Sequence, residues 1–112
     1  MRSHLADGRL VQWRPPREAN PGVRAWAVDA EITAQEVPPA LAARFGGDSP
    51  EAFWVAWTRV EVVCKLLAVP VGRWLAEHGL DVSAARDAGV AWFTEAVGDI
   101  TVTVGGSFDP PR

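Results

Sequence analysis

Tyrosine is absent from these 112 residues, and cysteine, methionine and lysine occur once each, as Cys64, Met1 and Lys65. A single cysteine excludes an internal disulfide and any zinc site built from several thiolates, which suits a reducing compartment. No apolar run approaches the roughly 18 residues that a membrane span requires. Residues 1–10 carry Arg2, His4, Asp7 and Arg9 where a secretory signal needs an apolar stretch, so a cytoplasmic location is expected. The 11 basic residues stand against 14 acidic ones for a net charge of −3, and they form no stripe able to neutralise a phosphate backbone, so nucleic acid is not expected as a partner. All of the basic residues but Lys65 are arginine, in a chain rich in Ala, Val, Gly and Pro. That bias resembles GC-rich coding, which makes a retained lysine informative. Six tryptophans are present, and core filling is the simplest reading of most of them. The length suits one domain, residues 1–112.

The punctuation of the chain predicts an α+β fold, a small antiparallel sheet packed against one long helix with shorter helices beside it. Residues 9–14 (RLVQWR) and 23–28 (VRAWAV) alternate in the manner of short strands, and the Pro-, Gly- and Asn-rich stretch 15–22 between them predicts a hairpin. A short helix is expected over 40–45, stopped by Gly46 and Gly47. Ser49 as a cap, Pro50 at the first helical position and Glu51 in the first turn then predict a helix running to about Ala68, ahead of Pro70. Along it, Phe53, Trp57, Val60, Cys64 and Leu67 form the expected core stripe, while Trp54, Thr58, Glu61 and Lys65 share a different side. Further helical segments are expected over 71–78 and 83–88, then strands over 90–95 and 99–104 turning at Gly98 and Asp99. The tail 105–112 (GGSFDPPR) is expected to fray.

The chemistry starts with carboxylates. Asp29 and Glu31 lie two apart at the end of a predicted strand, so an extended backbone points both side chains to one face, where they can converge on a cation. Glu61 on the long helix can supply a third oxygen ligand. Two carboxylates plus phosphates and waters are what Mg²⁺ usually takes. The same residues also read as ordinary solvated charge, with Glu61 and Lys65 in the favourable order for a helical ion pair.

The surrounding residues carry a resemblance. The stretch Ala27-Val28-Asp29-Ala30-Glu31-Ile32 resembles the hydrophobic-x-Asp-x-Glu signature of the 4'-phosphopantetheinyl transferases. The stretch from Trp57 through Thr58, Val60 and Glu61 to Lys65 resembles their Trp-[Ser/Thr]-x-Lys-Glu-x-x-x-Lys signature, with Val60 where the family has a lysine. Ser3-His4, followed by Gly8 and a strand, looks like the Ser-His segment of the larger, surfactin-type members. The three elements occur in the family's order and make the chain similar to the C-terminal, metal-binding half of those proteins.

The resemblance implies a fold and an activity. Family members move the 4'-phosphopantetheine arm of coenzyme A onto a serine of an acyl or peptidyl carrier protein. By position, Asp29, Glu31 and Glu61 would hold Mg²⁺, and Lys65 would contact the phosphate that gains charge. Ser3 and His4 would lie near coenzyme A, and Glu61 is the candidate base for the attacking serine. Because the surfactin-type proteins pair two such halves, the single half read here implies a homo-oligomer. A second expectation keeps the fold but replaces the reaction. In it the carboxylates serve as general acid and base on a small molecule, for example in an amine and carbonyl cyclisation of the Pictet-Spengler kind, with Trp26, Trp54 and Trp57 lining a pocket. A non-catalytic binding module is the third.

Overall fold

The computed structural model describes residues 1–16, 22–46 and 49–108. Its elements run β1 (Arg2–His4), β2 (Leu10–Gln12), β3 (Val23–Ile32), α1 (Pro39–Phe45), α2 (Pro50–Leu67), α3 (Val71–His78), α4 (Ala84–Asp87), β4 (Val90–Val97) and β5 (Ile100–Phe108). The main sheet has the order β3-β5-β4, antiparallel throughout, and β1 pairs with β2 as a separate ribbon. The expected α+β class, with one long helix on an antiparallel sheet, is what forms. Among the described residues, no helix is long and apolar enough to cross a membrane.

Helix α2 begins as its sequence dictates. The Ala52 N–H donates to the Ser49 Oγ at 3.1 Å, and Pro50 occupies the first turn, where its missing N–H costs nothing. It ends at Ala68, whose left-handed backbone (φ 54°) turns the chain so that the Val69 N–H also donates to the Cys64 carbonyl, at 3.1 Å, before Pro70. The helix is sandwiched, which corrects the expected single core stripe. Val60, Val63 and Cys64 pack with Trp74, Leu75, Val82, Ala85 and Val90 on one side. Trp54 and Thr58, placed by the sequence on a different side, are also buried, because that side lies on the sheet. There the Thr58 Oγ1 meets the Thr103 Oγ1 at 2.8 Å, Thr103 meets Thr94 at 2.8 Å, and the Arg59 Nε donates to Thr94 at 2.9 Å. Since Thr58 spends its one proton on the carbonyl of Trp54 at 2.9 Å, the chain of donors must run from Arg59 through Thr94 and Thr103 to Thr58.

Two other expectations change. The strand 10–12 does not pair with β3; its partner is β1, across a tight turn in which Gly8 takes φ 91° and the Asp7 Oδ1 accepts the Arg9 N–H at 3.0 Å. A short Asp-Gly turn closes a hairpin more readily than the long Pro-rich stretch 15–22, of which 17–21 lie outside the described residues. The ribbon covers the outer face of the sheet, where Leu5, Val11 and Trp13 pack on Trp26, Val28, Ala30, Val102 and Val104. Residues 105–108, expected to fray, are the end of the central strand, and Gly105 and Gly106 are buried in it. A Cβ at Gly105 would lie 2.5 Å from the Val62 Cγ1, so the glycine is there to let α2 approach. Residues 109–112 lie outside the described part.

Candidate functional site

Strand β3 is an edge of the main sheet, and its alternation sends Trp26, Val28 and Ala30 to the outer face. Asp29 and Glu31 therefore share the opposite face, toward α2, as the two-residue spacing predicts. Asp29 lies opposite Thr103, the residue bonded to Thr58 of α2. It is a buried carboxyl, 7 % exposed. Its Oδ1 accepts from the Ser3 Oγ at 3.1 Å and stands 3.7 Å from the Lys65 Nζ. Its Oδ2 is buried with no hydrogen-bond partner, an expensive state for an ionised oxygen.

Ser3 and Lys65 each do two things. The Ser3 hydroxyl also accepts the Ala30 N–H at 3.2 Å, and the Lys65 ammonium donates to the Val28 carbonyl at 3.0 Å. Both backbone groups belong to the strand edge. Ser3 is thus buried as a support for Asp29, while strand alternation turns His4 outward into solvent. Lys65 is turned toward β3 and Asp29, replacing the helical ion pair with Glu61 that the spacing predicts. Its side chain stays 44 % exposed, so it remains in reach of a ligand. Glu31 accepts from the Gln35 Nε2 at 2.7 Å, a partner that nothing in the spacing singles out.

The carboxyls sense one another. Burial pushes the Asp29 carboxyl up to about 7; Lys65 opposes this, and the charges of Glu61 and Glu31 add to it. Burial raises Glu31 too, against the Gln35 hydrogen bond and with help from Glu61. Glu61 is raised by burial and drawn back by Lys65. The Cys64 thiol is pushed to about 11 by burial and by Glu61, so it is an inert core group rather than a nucleophile. Among the described residues, no three His, Cys, Asp or Glu side chains are grouped closely enough to hold a metal ion. Asp29, Glu31 and Glu61 are electrostatic neighbours rather than an assembled ligand shell.

Other candidates scatter. Val60, at the family's lysine position, is fully buried among Trp74 and Leu75 and faces away from the carboxyls. Trp26 packs with Trp13 at 5.2 Å on the outer face. Trp57 stacks on Phe53 at 5.8 Å beside the other core, and the Trp54 Nε1 donates to the Gln35 carbonyl at 3.1 Å. The three tryptophans therefore line no common pocket, which corrects that expectation. What the sequence did not suggest is a groove of about 390 Å³ lined by Glu61, Cys64, Lys65, Ala68, Val69, Pro70 and Val71. It opens where α2 stops and α3 starts, a junction signalled only by Pro70. Comparison with protein families, with curated proteins and with solved structures finds no match to the chain.

Proposed function

We propose that the protein is an enzyme that moves protons with a carboxyl cluster on a small molecule, with Glu61 as the group that meets the substrate and Asp29 and Lys65 as the groups that set its charge. The observation that carries this reading is the meeting of two distant segments, with Lys65 of α2 3.7 Å from the buried Asp29 of β3 and Glu61 one helical turn away at the mouth of a groove. Glu61 is half-buried and raised from its ordinary value by burial, against the pull of Lys65, which favours the protonated form more than in a solvated carboxyl. Asp29 is too enclosed to touch a substrate, but it and Glu61 sense each other's charge, so its ionisation near 7 changes the field at Glu61. Condensation of an amine with a carbonyl is one reaction such a group can serve. The nitrogen attacks the carbonyl carbon and passes one proton to the oxygen, the acid gives the oxygen a second so that it leaves as water, and the nitrogen returns its other proton to the acid, so no further reactant is needed. Mass spectrometry of amine and aldehyde pairs incubated with the protein tests this. Product formed by wild type and lost by 10²-fold or more in Glu61→Gln is expected; equal product from both would refute it.

A second reading, phosphopantetheinyl transfer from coenzyme A, is favoured by the unpartnered Asp29 Oδ2. A buried oxygen without a donor, in an all-oxygen set of three carboxyls, fits a hard divalent cation. The three carboxyls are not grouped closely enough to form a ligand shell as they stand, so Asp29, Glu31 and Glu61 would hold Mg²⁺ only after drawing together, and the ion would then offset the negative charge of the pyrophosphate. Lys65 would place the phosphate, and a second copy of the chain would complete the coenzyme A site. The burial of Val60 counts against it, because the position cannot present a cation to that site. Mg²⁺ at millimolar concentration should raise the melting temperature if this reading holds, and apo carrier proteins incubated with coenzyme A and the protein should gain the mass of the arm.

A further inference from the structure

The two edges of the main sheet are finished differently. Along β3 the outward Val28 carbonyl and Ala30 N–H are taken up by Lys65 and Ser3, and the register with β5 shifts between Val23 and Ala25. Strand β4 runs for 8 residues in unbroken register with β5, without proline or lysine, and Glu95 is its only charge. The Gly89 carbonyl accepts the Phe108 N–H at 2.7 Å. Antiparallel alternation from that bond turns the backbone groups of Ala91, Phe93, Glu95 and Val97 to β5, and those of Val90, Trp92, Thr94 and Ala96 to the open edge. Among the described residues, no side chain or further strand bonds to those open groups. The outer face of β4 is bare as well. Phe93, opposite Val104, is 50 % exposed and Val97 is 49 % exposed, because the β1–β2 ribbon packs on residues of β3 and β5 and stops short of β4.

We infer that a second copy of the chain pairs along this edge, β4 against β4 in antiparallel order about a two-fold axis, with Phe93 opposite its own counterpart. Natural sheets blunt an open edge with charge, proline or a bulge, and this chain closes β3 while leaving β4 unprotected. The strand is its own complement. With the axis at Phe93, the open groups of Val90 meet those of Ala96 and the open groups of Trp92 meet those of Thr94, so all four residues are satisfied in each copy. Phe93 then occupies a non-hydrogen-bonded position, where facing side chains come closest, and an aromatic pair there adds to the backbone bonds. Charge selects among neighbouring registers. An axis at Glu95 sets two carboxylates against each other, and one at Thr94 puts each Glu95 against a Phe93 ring, whereas the axis at Phe93 leaves each Glu95 beside the small Ala91 and open to solvent. A shift of one residue in the pairing would turn facing side chains to opposite sides of the sheet. Because the β3 edge is closed, the pairing stops at two copies. The carboxyl cluster lies at that far edge, so the pairing is independent of both functional readings. An interface built on residues 90–96 is at the small end of specific contacts, and dissociation at roughly 10 to 200 µM is expected.

Sedimentation velocity of the full chain between about 5 and 500 µM tests this, and the wild type should pass from the mass of one copy to the mass of two. Phe93→Lys sets like charges opposite each other at a side chain that is exposed in the single copy. Ala96→Pro removes an N–H that points to the open edge, where a strand tolerates proline. Each should raise the dissociation constant at least about tenfold and keep the wild-type far-ultraviolet spectrum. The two substitutions act on different atoms, so if one fails to fold the other remains the test. An equimolar mixture of Phe93→Lys and Phe93→Glu should regain the dimer at concentrations where neither variant pairs alone, which reads the self-opposed register as well as the surface. The mass of one copy throughout the range, assembly beyond two copies, a dimer unchanged by a folded Phe93→Lys or Ala96→Pro chain, or folded charge variants that fail to recover the dimer when mixed would each overturn the assignment.

Discussion

Replacing Asp29 by Asn should flatten the pH dependence of stability. A carboxyl that ionises at 3.8 in the open chain and at about 7 in the fold binds more protons in the folded state throughout the interval between those values. Stability then falls as pH rises, since the unfolded state gains from ionising first. Below 3.8 both states are protonated and the term vanishes; above 7 both are ionised and the loss is complete. A difference of about three pH units corresponds to about 4 kcal/mol, an upper bound because relaxation and water entry soften it. Asn keeps the acceptor for Ser3 and offers a donor where Oδ2 has no partner, so Asp29→Asn should escape the loss. Urea denaturation of both proteins at pH 4, 5, 6, 7 and 8 in the presence of a chelator measures it. The variant's advantage should grow from near zero at pH 4 to between about 1 and 4 kcal/mol at pH 8. Glu31 and Glu61 act in the same direction, whereas exposed Asp81 and Asp99 are lowered and act in the opposite one. These contributions are common to both proteins and largely cancel in the difference. A constant difference across the range, or one that shrinks with pH, would show that Asp29 ionises as an ordinary surface carboxyl.

Ser3→Ala removes the acceptor for the Ala30 N–H and the donor to Asp29, and should cost about 1 to 3 kcal/mol by chemical denaturation; a loss below about 0.5 kcal/mol would mean that water replaces the hydroxyl freely. Gly105→Ala should destabilise by about 1 to 3 kcal/mol, because its new Cβ would meet Val62 at 2.5 Å and Leu66 at 3.1 Å, and Val62→Ala in the same chain should recover part of the loss in a double-mutant cycle. Lys65→Ala should cost under about 1 kcal/mol of stability, given its exposure. In the proton-transfer reading it should also leave turnover within about tenfold of wild type, whereas transfer of a phosphate arm should collapse; single-turnover assays on both substrate types separate the two.

The parts of the fold that were legible are those with local causes. Ser49, Pro50 and Pro70 fix the ends of α2 because capping and missing donors act within one turn, and Gly98 with Asp99 closes the last hairpin for the same reason. Gly105 and Gly106 look like a loose tail in the sequence because their cause lies far away, in the Val62 and Leu66 side chains of α2 and in Val23 and Trp26 of β3 that press on the strand. Thr58 falls off the core stripe of α2 in the sequence because periodicity finds one stripe, and a helix held between a sheet and two other helices has two. The turn at Asp7 and Gly8 is also local in cause, but the expected hairpin lies at the Pro-rich stretch after it.

At the candidate site the same division holds. A spacing of two placed Asp29 and Glu31 on one face, and a spacing of four placed Glu61 and Lys65 on neighbouring turns. The pairing between them was not legible, since it depends on β3 being an edge strand. An edge leaves outward backbone groups such as the Val28 carbonyl and the Ala30 N–H to be satisfied from outside the sheet. Lys65 and Ser3 satisfy them, and in doing so both are brought against Asp29. The groups that close the strand edge are therefore the groups that set the charge of the buried carboxyl. The Glu61 side chain makes no hydrogen bond to a backbone group and lines the open hollow at the end of α2, which leaves it, unlike the enclosed Asp29, able to meet a ligand.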